Sequence, residues 1–333
     1  MAGARASSEI RLVNGSAGDP ALFIDYPGRD DAILFDAGEN GGLDARRLGD
    51  LGAVFITHHH VDHFIGLDRI VRANLDRDKT LHVFGPTGTI RKVYDRIKSY
   101  EYPFFPFQKL TLEVRDVEST LIRSASLECS RGFPEPEPVE SPREGCVLFR
   151  NAGLRVEFAF GDHTVPCLAF ALVEEAGYQP NPDKLAAGPL RPGSWVGQAL
   201  ARLRAGEPMD SPMTISGGRF DLGTLAETYF ERTPDVRVAY VTDTAWSDEA
   251  RPGLRKLAHR AWRLYCDSFY SRREIKQAEK HRHMTASQAA ELAREAKVES
   301  LVLMHFAARY AGRYESLVEE ARAAFPGTSA ELP

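Results

Sequence analysis

Directly after the apolar run Ala53–Ile56 the chain reads Thr57-His58-His59-His60-Val61-Asp62-His63. Four imidazoles and a carboxylate within six positions do not suit an ordinary core, where an unpaired polar ring is costly to bury. Chance seldom groups them so densely, whereas metal binding requires such grouping. Residues two apart in an extended turn can converge on one point, so His58 and His60 can share a metal ion. Asp62 and His63 then stand where a second ion could be held beside the first. His59, between two ligand candidates, should point to the opposite side, because neighbours in an extended chain alternate. The strand before the turn matters as much as the ligands, since a sheet fixes such a turn rigidly.

The remaining sequence supplies a sheet-rich frame. Strand-length apolar runs fall at Glu9–Asn14, Ala21–Tyr26, Ala32–Phe35, Ala53–Ile56, Thr80–Phe84, Leu110–Val117, Val147–Arg150, Arg155–Phe160, Leu168–Glu174, Arg237–Thr242, Arg263–Cys266 and Ser300–Met304. Helix-like segments are Phe64–Leu75, Gly88–Tyr100, Ser194–Ala205, Leu222–Phe230, Asp248–His259, Ala286–Ala296 and Ser316–Ala324. Thr285 is placed to cap one of these helices, and Gly312 precedes the last. Strands interleaved with helices predict a layered α/β architecture rather than a bundle or a pure sandwich. No repeat and no Gly/Ser linker divides the 333 residues, which predicts one domain over 1–333. Irregular inserts are expected near 129–145, a Pro- and Glu-rich stretch, and near 178–220, rich in Gly and Pro around a single helix. The first reads as a surface loop or hairpin tip, the second as a lid, a substrate arm or a disordered loop.

Composition narrows the setting. Charged residues make up 27% and hydrophobic residues 43% of the chain, a globular balance. The net charge of -5 argues against a protein that coats nucleic acid by charge alone. Cys129, Cys146, Cys167 and Cys266 form no C-x-x-C pair and are too few for a disulfide scaffold, which points to a reduced, cytoplasmic setting. The start MAGARASSE lacks the apolar core of a signal peptide, and no apolar run reaches the roughly 18 residues of a membrane span.

Three further candidates sit after predicted strands, as the first cluster does. Gly161-Asp162-His163-Thr164 follows one strand, Asp243 ends Tyr240-Val241-Thr242-Asp243, and His305 ends Val302-Leu303-Met304-His305. Each of these residues alone could be structural; the ordered set points to a metal site. His82, His259 and His281 have no motif and read as structural or surface residues.

The spelling T-H-x-H-x-D-H, followed in order by these residues, resembles the metallo-β-lactamase superfamily of binuclear metallohydrolases. That resemblance implies an αββα sandwich, two mixed sheets flanked by helices, holding two metal ions. It implies His58, His60 and His163 on one metal, Asp62, His63 and His305 on the other, and Asp243 bridging. Further segments are similar to ribonuclease Z enzymes: Leu34-Phe35-Asp36-Ala37-Gly38-Glu39, Gly66-Leu67, Phe84-Gly85-Pro86 with Gly88, His283-Met284-Thr285-Ala286, and His305-Phe306-Ala307-Ala308-Arg309-Tyr310. The likeness runs from about Asp36 to Tyr310. It implies that Asp36 braces the metal-binding turn, that His283 stabilises charge on the transferring phosphate, and that Asp267 orients His283. It also implies a homodimer.

Nitrogen and carboxylate donors without thiolates suit Zn²⁺, with Mn²⁺ as a substitute. The expected reaction is phosphodiester hydrolysis by a metal-bridging hydroxide, with Asp62 as the proton acceptor and His283 as a hydrogen-bond or proton donor. RNA, a tRNA 3′ end in particular, is the expected substrate. The alternative keeps the metals and gives them a small substrate: a cyclic nucleotide, an aryl phosphodiester or sulfate, a thioester or a lactone. Three departures bear on the choice. Ala307 and Val61 replace the commoner Ser and Gly, and Tyr178–Phe220 carries a single lysine, Lys184, with no long basic arm. Against this, Arg251–His283 holds ten Lys/Arg and three Asp/Glu, which reads either as a basic flank leading into His283 or as the ordinary solvated faces of amphipathic helices.

Overall fold

The computed structural model describes residues 9–25, 31–151 and 153–332. Tyr26, at the end of a predicted strand, and MAGARASS at the start lie outside the described residues. The chain packs as two compact units: Met1–Cys146 with Phe158–Ala171 and Val238–Pro333, and Val147–Glu157 with Leu172–Arg237.

In the first unit, the segments Ala32–Phe35 and Leu51–Phe55 are buried at every position, the pattern of strands covered on both faces. They belong to an eight-stranded sheet whose strands lie side by side in chain order. These are β1 (Glu9–Leu12), β2 (Leu22–Asp25), β3 (Ala32–Phe35), β4 (Leu51–Phe55), β5 (Thr80–Pro86), β6 (Thr111–Val117), β7 (Leu121–Glu128) and β8 (Val139–Pro142). The centre, β3 to β6, is parallel; the flanking pairs are antiparallel.

Alternation along each strand divides the side chains between two layers. Leu34, Val54, Val83 and Leu112 face a core completed by Ile70 and Val71 of the helix Leu67–Asn74 and by Val93 and Ile97 of the helix Thr89–Lys98. Phe35 and Phe55 point the other way. Phe35 meets Phe170 at 5.6 Å and Tyr240 at 5.7 Å between ring centroids, and Phe55 meets Phe170 at 5.5 Å. An aromatic layer therefore seals this sheet against a second one.

The later strands are β9 (Val147–Asn151), β10 (Leu154–Phe160), β11 (Leu168–Glu174), β12 (Gly177–Pro180), β13 (Pro212–Ile215), β14 (Gly218–Asp221), β15 (Phe230–Thr233), β16 (Val236–Val241), β17 (Arg263–Asp267), β18 (Ser300–Met304) and β19 (Thr328–Ala330). In the first unit β16 to β19 form a parallel ladder. Its outer face is covered by the helices Arg251–Leu257, Ala286–Ala296 and Glu315–Arg322, which contribute Leu254, Leu292 and Leu317 to one core. The layers are thus helix, sheet, sheet, helix.

The second unit has its own small core. Trp195 and Leu203 of the helix Ser194–Arg204 pack with Leu225 and Tyr229 of the helix Leu222–Tyr229, together with Met213 and Ile215. Trp195 meets Tyr229 edge to face at 5.0 Å. Strands β12 and β15 pair, β13 and β14 form a hairpin, and β9 pairs with the start of β10.

Several segments differ from their sequence reading. The expected irregular stretch 178–220 holds a second helix, Pro182–Ala187, and the β13–β14 hairpin. These pieces are too short to carry a periodic signal. The Pro- and Glu-rich stretch 129–145 contributes β8, exposed at all its positions and held by main-chain pairing to β7. The predicted helix Phe64–Leu75 is divided into Val61–Phe64 and Leu67–Asn74. The break falls at Gly66, where a Cβ would lie 2.1 Å from the Gly38 carbonyl oxygen.

Candidate metal centre

Strand β4 ends at Phe55, and the chain turns through Thr57 and His58 into the short helix Val61–Phe64, with His60 at its N-cap position. The turn is held from below by Asp36, which follows β3 in the left-handed region at φ 59°. One Asp36 carboxylate oxygen accepts from the Thr57 amide at 2.7 Å, and the Thr57 hydroxyl lies 2.9 Å from both oxygens. His63 Nδ1 lies 2.8 Å from Asp36, and the Tyr240 hydroxyl donates to Asp36 at 3.0 Å. The buried carboxylate is thereby satisfied on all sides, and it fixes the His63 ring so that Nε2 faces outward. Gly38 completes the brace: a Cβ there would stand 2.5 Å from the Asp62 carbonyl oxygen, so only glycine lets the two turns touch.

Three loops from the other sheet close on this turn. His163 follows β10, while Asp243 and His305 follow β16 and β18. Asp243 and His305 also adopt left-handed backbone angles, φ 48° and 59°. Such conformations are uncommon outside glycine, although Asp and His adopt them more readily than most, and they cluster at functional sites, where the fold over-determines them.

Asp243 is the centre of the cluster. Its Oδ2 lies 3.5 Å from His58 Nε2, 3.4 Å from His63 Nε2 and 3.8 Å from His163 Nε2. Its Oδ1 lies 2.8 Å from His305 Nδ1. Asp62 Oδ2 is 3.3 Å from His305 Nε2 and 3.7 Å from His63 Nε2. His60 Nδ1 is 3.4 Å from His163 Nε2. The donor atoms fall into three overlapping groups, each within 4.8 Å: His58, His60, His163 and Asp243; Asp62, His63 and His305; Asp243, Asp267, His283 and His305. Every site residue named from the sequence is therefore brought together here. His59 points away, its Nε2 2.8 Å from Thr89 Oγ1. His82 lies 3.2 Å from Arg115 and His281 2.5 Å from the Tyr270 hydroxyl.

The electrostatics follow from crowding. Burial, reinforced by the neighbouring imidazoles, pushes His58 down to about 2, so it stays neutral and available as a ligand. Burial also opposes charge on His63, yet Asp243 and Asp36 outweigh it and raise that ring to about 10. Burial would raise Asp62, but the hydrogen bond from His305 and the nearby imidazoles hold it at about 2. A cation fits this arrangement by a direct observation. The buried nitrogens His58 Nε2 and His63 Nε2 have no hydrogen-bond partner, although both aim at Asp243. Orphaned buried donors are rare unless a ligand completes them.

Beside the cluster, Asp267 is fully buried, and its Oδ2 lies 3.1 Å from His283 Nδ1 while accepting from the Met284 amide at 3.1 Å. The Phe269 amide donates to Oδ1 at 3.2 Å. Sequence reasoning did not single out Thr57, Tyr240 or Phe269. Thr57 opens the histidine motif and Tyr240 lies in the strand three residues before Asp243, but neither has a spacing rule of its own. The predicted basic flank is partly neutralised: Arg251 pairs with Glu291 and Glu295, and Arg282 with Asp162.

The metallo-β-lactamase superfamily description matches residues 20–76, which contain the brace and the histidine turn. Human short-form tRNase Z superposes with a TM-score of 0.52 at 17% identity, covering 91% of this chain and 93% of that one, which shows the fold. Fold and cluster together define a metal-dependent hydrolase of the metallo-β-lactamase fold. Ribonuclease Z of Thermobifida fusca is 30% identical over 302 residues, covering 89% of this chain and 81% of the relative. Ribonuclease Z of Deinococcus radiodurans is 27% identical over 324 residues, covering 92% and 96%. The chain belongs to the ribonuclease Z family.

Proposed function

We propose that this protein is an endoribonuclease that hydrolyses one phosphodiester bond in a tRNA precursor at a two-zinc centre. The observation that carries the reading is the pair of unpartnered nitrogens, His58 Nε2 and His63 Nε2, converging on Asp243. Family membership supports RNA over a small phosphodiester or ester. His58, His60 and His163 would hold one ion, Asp62, His63 and His305 the other, and Asp243 both. The donor set is nitrogen and carboxylate, which favours zinc, with manganese as a substitute.

When bound, the metals would lower the pKa of a water and screen the phosphate charge. Asp62, at the open side of the cluster, accepts the proton of the attacking water. His283, held through Nδ1 by Asp267, presents Nε2 to the leaving oxygen and donates the proton that oxygen needs. Asp36 and Thr57 keep the His58 and His63 rings aimed while this happens. No helix among the described residues is long and apolar enough to cross a membrane; a cytoplasmic homodimer is the working state we assign.

The test compares a precursor tRNA transcript with bis-p-nitrophenyl phosphate, using zinc-loaded protein. Cleavage of the transcript at one position, lost on chelation and restored by zinc, is the expected result. Turnover of the aryl diester with an untouched transcript would overturn the RNA reading.

A further inference from the structure

Phe269 lies with its ring face on the His283 imidazole, centroids 4.3 Å apart and planes within 19° of parallel. The same ring stands 5.0 Å from the His305 ring, and Tyr270 approaches His283 edge-on at 6.2 Å. Asp267 engages His283 through Nδ1 alone, at 3.1 Å. A ring held by one hydrogen bond can still rock out of its plane about that bond. An aromatic face stacked on it removes that freedom and keeps water from one side.

We propose that Phe269 is a positioning residue for proton donation: it fixes the plane of His283 so that Nε2 stays aimed at the leaving oxygen. The inference rests on the assignment of His283 as proton donor. In that step the water oxygen bonds to phosphorus and one water proton passes to Asp62. The bond from phosphorus to the leaving oxygen breaks, its electron pair stays on that oxygen, and the His283 Nε2 proton joins it. The second water proton remains with the phosphate product. A ribose oxygen leaves poorly without a proton, whereas p-nitrophenolate needs none. The placement of Nε2 therefore matters for RNA and not for the aryl diester.

The experiment uses the zinc-loaded protein with Phe269→Ala, Phe269→Leu, Phe269→Tyr and His283→Ala, each assayed on the precursor tRNA and on bis-p-nitrophenyl phosphate, with bound zinc measured. Loss of a positioned proton donor costs roughly 10²–10⁴-fold, and loss of its aim a part of that. Phe269→Ala and Phe269→Leu should lower kcat on the tRNA by about 10- to 100-fold, with KM, bound zinc and aryl-diester turnover unchanged. Phe269→Tyr, which keeps the stack, should restore kcat. Equal losses on both substrates, or lost zinc, would mean that Phe269 only supports His305, and the inference falls. No loss on either substrate overturns it as well. If His283→Ala itself shows no preference between leaving groups, proton donation by His283 falls and this inference with it. A selective His283→Ala beside an unselective Phe269→Ala overturns the inference alone.

Discussion

Asp62 keeps 35% of its side chain exposed, against 3% for Asp243 and none for Asp267. Those fully buried carboxylates are committed to holding neighbours, so Asp62 is the acid that a water and a phosphate can reach. Asp62→Ala should lower turnover by at least about 10²-fold, the usual worth of a positioned base. The fold should survive, because no buried partner inside the core loses its only contact; circular dichroism and melting temperature check this. Full activity in the variant would remove Asp62 from the mechanism. Asp36 is the opposite case. It touches no substrate, yet four interactions converge on it, including His63 and the Tyr240 hydroxyl. Asp36→Asn turns one acceptor into a donor facing other donors. Zinc affinity should fall by roughly 10- to 100-fold, the range seen for partners of metal-binding histidines. A competition titration with a chromophoric chelator reads this directly, and unchanged affinity would show that the brace is dispensable.

At the scale of elements, the helix Ala286–Ala296 shows how the chain carries His283 into the site. Thr285 caps it, accepting from the Gln288 amide while the Gln288 side chain accepts from the Thr285 amide, a complete capping box. His283 lies two residues upstream, so the cap also sets where the loop enters the helix. Thr285→Ala should cost about 1 kcal/mol, seen as a fall of roughly 1–2 °C in melting temperature for a chain of this size, and Thr285→Ser should recover most of it. This helix was legible in the sequence to the residue, because its cap, its alanine-rich buried face and its end at Ala296 agree. Strands Ala32–Phe35, Leu168–Glu174 and Ser300–Met304 were equally plain, being buried runs bounded by polar turns. Segments whose stability comes from pairing rather than burial were not. Leu121–Glu128 alternates weakly and is held by a long antiparallel register with β6. The exposed β8 has no apolar face at all. The candidate ligands could be listed from strand ends, but not the groups that orient them. Thr57 and Tyr240 act through contacts between segments far apart in sequence, 21 and 204 residues from Asp36, and no local pattern encodes those.

For the molecule as a whole, the cluster joins loops that issue from two different sheets. Asp62 and His63 follow β4, while Asp243 and His305 follow β16 and β18. Without a cation this seam brings three neighbouring carboxylates, Asp62, Asp243 and Asp267, against crowded imidazoles, with His58 Nε2 and His63 Nε2 unsatisfied. A bound metal would convert that into a cross-link between the sheets. Binding only to the folded state stabilises by about 2.7 kcal/mol at 100 times the dissociation constant and about 4.1 kcal/mol at 1,000 times. At roughly 1–2 °C per kcal/mol for a chain of 333 residues, zinc should raise the melting temperature by roughly 3–8 °C over chelated protein, with circular dichroism of the chelated form still native at 25 °C. The aromatic seal of Phe35, Phe55, Phe170 and Tyr240 is independent of the metal and should keep the two sheets together without it. Asp36→Asn should shrink the zinc-dependent rise at a fixed zinc concentration, since weaker binding gives less stabilisation by the same relation. A melting temperature indifferent to zinc in the unmodified chain would mean that the seam does not take up the ion, and the assignment of this cluster as a metal centre would fail.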